Sequence, residues 1–147
     1  MKNLEQTPFG PLTVEVFPDS IYFQTVLLPD CKYDDDQPIR INGINYQFWL
    51  SYKRSTNWGG ETVRWCYNGM SCYRNGTTVE MTSKAFSKLR EVLDPLVEKY
   101  TSDPKVMSAA KARSLENEIK HLNNKIEELL RERSEKITEL EALLPLT

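Results

Sequence analysis

The side chains that most often carry chemistry are sparse in this chain: one histidine, His121, three cysteines, Cys31, Cys66 and Cys72, and a run of carboxylates, Asp34, Asp35 and Asp36. A histidine works as a base or a zinc ligand only in company. His121 sits in a charged helical stretch beside Leu122, with no second histidine or nearby cysteine to complete a site. The cysteines are odd in number and form no paired Cys-x-x-Cys motifs, so free thiols in a reducing compartment are expected. The aspartates fall in a polar connection between Pro29 and Pro38. Their spacing lacks the ligand pattern of a calcium loop, and they read as a solvated acidic loop that could also occupy a basic groove on a partner. There is no Gly-Lys phosphate loop and no nucleophile elbow. The expectation is therefore no catalysis, no metal and no cofactor, and the remaining chemistry is that of binding.

Arginine and aromatic residues supply it. Arg40, Trp49, Lys53, Arg64 and Tyr73 alternate with apolar residues along segments that read as strands, flanked by Arg54, Trp58 and Arg74. Trp, Tyr and Arg anchor protein interfaces, and the same mixture suits single-stranded nucleic acid, whose bases stack on rings while phosphates meet cations. A third option is packing, with Trp49 covered by another element and the arginines snorkelling around it. A formal net charge of -2 and the lack of a dedicated nucleic-acid motif weigh toward protein. The stretch from Ser51 to Gly60, with Trp58-Gly59-Gly60, is longer than a tight hairpin needs and is a candidate recognition loop.

These residues need a sheet to hold them. Between Thr13 and Met81 apolar and polar residues alternate, punctuated by Asn42-Gly43, Asn68-Gly69 and Asn75-Gly76, the dipeptides that favour two-residue hairpin turns. Closing the first turn puts Ile39, Ile41, Ile44, Tyr46, Phe48, Leu50 and Tyr52 on one core face. Closing the other two pairs Tyr67 with Met70, Trp65 with Cys72, Cys72 with Val79 and Met70 with Met81, and sets Cys66 on the opposite face from Cys72. Thr13 to Phe17 and Ser20 to Leu28 read as further strands around a turn at Phe17-Pro18-Asp19. After Met81 the period lengthens. Ala85, Phe86, Leu89, Val92, Leu93, Leu96, Val97 and Tyr100 form a helical stripe capped by Thr82 or Ser83, with a kink or restart expected at Asp94-Pro95.

From Asp103-Pro104 to Leu144-Pro145 the sequence reads as one charged helix with an apolar seam. Leu115, Ile119, Leu122, Ile126 and Leu129 recur at steps of four and three, the spacing of a coiled coil. Arg133 and Lys136 then fall where apolar residues are due, and the stripe resumes through Ile137, Leu140 and Leu144, which reads as a stutter. Glu116 with Lys120, Glu127 with Arg131 and Glu132 with Lys136 offer helix-supporting charge pairs.

At 147 residues and 39% hydrophobic, the chain has material for one small core and an appendage. No stretch approaches the roughly 18 apolar residues of a membrane span, nor does the beginning contain an apolar run, so a cytoplasmic protein without a membrane is expected. The fold class is α+β: an antiparallel meander of about five or six strands covered by a helix (1–101), then a long coiled-coil-type helix (102–147). The function expected is non-catalytic protein binding and homodimerisation through that helix. A small inhibitor or adaptor on a larger nucleic-acid-processing complex, such as a phage protein blocking a host defence complex, is one concrete form. The alternative is a dimeric nucleic-acid-binding protein using the Arg/aromatic face.

Overall fold

The computed structural model describes residues 2–26, 39–56, 60, 63–74 and 77–146, positions 74 and 146 by their backbone alone. Strands β1 (Asn3–Thr7), β2 (Gly10–Val16) and β3 (Ser20–Thr25) lead into a two-stranded ribbon, β4 (Arg40–Ile41) with β5 (Ile44–Asn45). Strands β6 (Gln47–Thr56), β7 (Val63–Arg74) and β8 (Thr77–Thr78) follow, then helices α1 (Ser83–Thr101) and α2 (Pro104–Leu143). The main sheet is six-stranded and antiparallel in the order β1-β2-β3-β6-β7-β8, so the ribbon is an insertion in an otherwise sequential meander.

The period-two pattern holds wherever one face is buried. Leu12, Val14 and Val16 on β2, Ile21 and Phe23 on β3, and Phe48, Leu50 and Tyr52 on β6 all point into one core. Ile39, Ile41 and Tyr46 join them from the ribbon, and Ile44 packs at the edge. Asn42 and Gly43 close that ribbon with φ of 52° and 79°, the left-handed pair that a mirror-image two-residue turn requires. Where β3 meets β6, the buried Thr25 hydroxyl takes the Phe48 N–H at 3.2 Å and donates to the Phe48 carbonyl at 3.4 Å.

Several expectations need correction, among them the loop expected from Ser51 to Gly60, whose residues 51–56 are the end of β6. The sheet starts earlier than Thr13, because β1 pairs with β2 from Asn3 opposite Val14 to Thr7 opposite Gly10. Asn68-Gly69 makes no turn. Strand β7 runs straight through it, pairing with β6 from Thr56 opposite Val63 to Gln47 opposite Tyr73, so Trp65 faces Arg54 and Cys72 faces Phe48. The register shifts where Ser51 meets Gly69 and Tyr52 meets Tyr67, which makes Asn68 the extra residue of a bulge. A bulge and a two-residue turn both invert the alternation, and for that reason the side of each residue survives the wrong pairing. Trp65, Tyr67 and Met70 pack on the core, Cys72 is buried, and Cys66 is exposed on the other side. The last strand pair keeps the expected register, with Tyr73 opposite Thr78 and the Val79 N–H on the Cys72 carbonyl at 3.0 Å, but β8 ends at Thr78 and Met70 pairs with Leu50, not with Met81; the Asn75-Gly76 turn lies outside the described residues. Of the kink or restart expected at Asp94-Pro95, the restart does not occur, since α1 is one helix through Pro95.

Helix α1 begins where Thr82, in extended backbone, accepts the Ala85 N–H at 3.3 Å. It lays Ala85, Leu89, Leu93, Val97 and Tyr100 on the sheet. Asp103 caps α2 by accepting the Lys105 N–H at 3.0 Å. The chain divides into two compact units, Met1–Ala110 and Lys111–Thr147. The first extends past the residue-101 boundary drawn on sequence because Val106, Met107 and Ala110 belong to the core cluster.

Candidate functional site

In the first unit α1 covers one face of the sheet, and the strand register gives the order of side chains on the other. One row across the strands reads Leu4, Thr13, Gln24, Trp49, Ser71, and the next reads Glu15, Tyr22, Ser51, Gly69. Trp49 stands out of this face 53% exposed. Its ring meets Tyr22 at 5.8 Å between centroids, and Tyr22 meets Phe17 edge-on at 5.5 Å, so three rings form one strip. The small residues Ser51, Gly69 and Ser71 leave a hollow of about 250 Å³ on one side of Trp49. Thr13, Glu15 and Gln24 border a second of about 260 Å³ on the other, so Trp49 forms a ridge between two depressions. A Cβ added at Gly69 would meet nothing within 4 Å, so the hollow there is open space above the backbone.

The residues expected to share this face divide. Trp49, Lys53, Arg64 and Tyr73 are on it, and Tyr73 pairs with Gln47 and Thr78 at 37% exposure. Lys53 lies opposite Ser20 and Cys66, and Arg64 opposite Ser55, on the far side of the bulge from Trp49. Lys53 is four residues along β6, about 13 Å from Trp49 along the strand. Arg40 is exposed but belongs to the ribbon, opposite Asn45, and so is not on the six-stranded sheet. Arg54 pairs with Trp65 in the register of the helix-covered face. The backbone of Arg74 pairs with Thr77. Trp58, Asp34, Asp35, Asp36 and Cys31 lie outside the described residues.

Sequence reading missed Phe17, Tyr22 and Gln24. The signal for two of them lies in the sequence, since Tyr22 and Gln24 alternate with the buried Ile21 and Phe23 and so share the opposite face of the strand. Arg90 is another surprise. Its guanidinium lies 5.5, 5.2 and 5.8 Å from the ring centroids of Tyr52, Tyr67 and Phe86, and its Nε is 3.0 Å from Asp94, which also accepts the Tyr52 hydroxyl. Burial first, then the Asp94 carboxylate, pushes the Tyr52 phenol well above its ordinary range. Every group in this cluster is answered by another group of the cluster, so it fastens α1 to β6 and β7. Among the described residues no group of three or more His, Cys, Asp or Glu side chains could hold a metal ion. Burial likewise raises the Cys72 thiol.

In the second unit, α2 exposes its seam. Leu115, Ile119, Leu122, Ile126 and Leu129 are 49 to 63% exposed, and Ile137, Leu140 and Leu144 are exposed as well. So are Leu130 and Leu143, which the sequence reading passed over. Adding Leu143 removes the need for a stutter. Ile119, Ile126, Arg133 and Leu140 repeat every seven residues, as do Leu115, Leu122, Leu129, Lys136 and Leu143, so one phase runs the length of the seam. Leu130, Ile137 and Leu144 widen it on one flank. Ion pairs along α2 include Arg131–Glu135 at 4.0 Å and Lys136–Glu139 at 3.5 Å, so Arg131 and Lys136 turn toward the C-terminus and away from the glutamates expected to hold them. No described helix is long and apolar enough to cross a membrane. No protein-family model, curated protein or solved structure matches this chain.

Proposed function

We propose that this chain is a non-catalytic protein-binding module that self-associates through the α2 seam and presents the open face of its sheet to a macromolecular partner. The observation carrying this reading is the seam itself. Leu115, Ile119, Leu122, Ile126 and Leu129 stand about half in water within their own chain. Full burial of such a side chain is worth roughly 1.5 to 3 kcal/mol and about half of that is still to be gained at each, which favours a second helix laid along them. Light scattering tests it. The intact chain is expected to have twice the monomer mass and an Ile119→Asp, Ile126→Asp chain the monomer mass; a monomer at every concentration in both would remove the proposal.

For the open face, a protein partner fits better than a nucleic acid. The Phe17, Tyr22 and Trp49 rings have Thr13, Gln24 and Ser71 around them with one carboxylate, Glu15, and one cation, Lys2, while Lys53 and Arg64 lie farther along the strands. Aromatic rings amid side chains that carry no excess of positive charge make a protein hot spot, whereas single-stranded nucleic acid favours a row of cations beside the rings. The exposed Lys53 and Arg64 support the nucleic-acid reading to a lesser degree, and salt separates the two, since affinity for a strand falls steeply through counterion release. Within the protein reading, an inhibitor or adaptor docking on a nucleic-acid-processing complex is the specific form we favour. The Asp34-Asp35-Asp36 run would meet that complex's basic surface.

A further inference from the structure

The flank of the α2 seam carries a charge pattern that selects the second helix. Lys111, Glu118, Lys125 and Glu132 follow one another at steps of seven, all one position before the Ala112, Ile119, Ile126 and Arg133 line of the seam. Read forward the signs run plus, minus, plus, minus; read backward they are inverted. Laid end to end against a copy of itself, such a row is complementary when reversed and repulsive when not. Among the described residues none of the four has an ion-pair partner within the chain.

We propose that two copies pair their α2 helices antiparallel, centred between Lys120 and His121, over Ala112 to Leu129. This rests on the seam being a self-association surface and adds direction and register. In this register Ala112 faces Leu129 of the second copy, Leu115 faces Ile126, and Ile119 faces Leu122, each contact occurring twice by symmetry, so every layer is apolar. The flanking charges then meet as Lys111 with Glu132 and Glu118 with Lys125, again twice each. Sliding one helix by a heptad either way sets Glu118 against Glu132 or Glu118 against itself, and Lys125 against itself or against Lys111. A parallel, in-register pair does worse in another way. It stacks Arg133 on Arg133 and Lys136 on Lys136 inside the seam, and it sets Lys125 and Glu132 against the apolar Leu130 and Ile137. Reversal takes Arg133 and Lys136 out of the shared apolar layers.

Two measurements on the full chain decide it. Spin labels at His121→Cys and, separately, at Thr138→Cys, in a chain whose own cysteines are replaced by Ala or Ser, report direction. Antiparallel pairing brings the two position-121 labels together and holds the position-138 labels about 50 Å apart along the axis. Equal, short separations at both positions would overturn the direction while leaving the seam a dimer interface. With the cysteines intact, Glu118→Lys alone and Lys125→Glu alone should each weaken the dimer about tenfold, and the double change should restore it. Weakening that the double change fails to restore would overturn the register. A chain that stays monomeric at every concentration would overturn self-pairing itself, and with it the seam reading.

Discussion

Tyr100 ends the buried stripe of α1, and its hydroxyl donates to Glu5 on the edge strand β1, where Lys99 also reaches the same carboxylate at 3.1 Å. The Tyr100 hydroxyl first, with Lys99 adding to it against the opposing effect of burial, holds the Glu5 carboxyl below the usual carboxylate range. A carboxylate whose folded pKa is depressed stabilises the fold above its unfolded pKa of about 4.3, and that contribution is lost as pH falls through the folded value. Tyr100→Phe is therefore expected to cost about 1 to 2 kcal/mol in urea unfolding at pH 7, with the gap to the parent narrowing below pH 4. A constant gap across that range would show that the ring's packing, and not its hydroxyl, is what the substitution removes. Nothing in the sequence pointed to this pair, because Glu5 belongs to a strand whose Asn-Leu-Glu-Gln-Thr composition lacks the β-branched alternation that marks strands.

At the scale of elements, the legible parts were those whose period repeats over several turns or pleats. The α1 stripe, its Thr82 cap, the Asp103-Pro104 start and the core face of β6 follow from spacing alone. The illegible parts are where one local signal serves two structures. Asn-Gly favours a hairpin turn, and at Asn42-Gly43 it makes one, but at Asn68-Gly69 the pairing of twelve-residue β7 with ten-residue β6 outweighs the local preference. Pro95 similarly forgoes a backbone hydrogen bond without ending α1, because Leu93 and Val97 on either side are held in the core. The β3–β6 joint gives an element-level expectation. Thr25→Val keeps the shape but removes the oxygen that receives the Phe48 N–H, leaving a buried donor without a partner, and should lower stability by about 1 to 3 kcal/mol in chemical denaturation. No loss at all would mean that β6 shifts to satisfy the group by itself.

For the molecule as a whole, the division between Ala110 and Lys111 predicts where the chain can be cut. Residues 1–110 alone should unfold in one cooperative transition, since they contain every residue of the buried core. Residues 1–103 should melt several degrees lower, because Val106, Met107 and Ala110 are then missing from that core. Equal melting temperatures for the two would show those α2 residues to be bystanders. The candidate surfaces were legible to different degrees for the same reason. An apolar stripe on a long helix announces itself through its period, whereas the open face of the sheet is assembled from β2, β3, β6 and β7, which only the strand order brings side by side.

The bulge at Asn68 also constrains how this sequence can change in length. Without Asn68, Gly69 would follow Tyr67 directly, so Gly69 would still sit opposite Ser51 and Met70 opposite Leu50, and each side chain would keep its side while the ladder became regular. Elsewhere in β7 the alternation holds no spare residue, and a one-codon deletion at Trp65 would turn over part of the strand. The bulge is thus the place where this strand can shorten by one residue without exchanging its two faces.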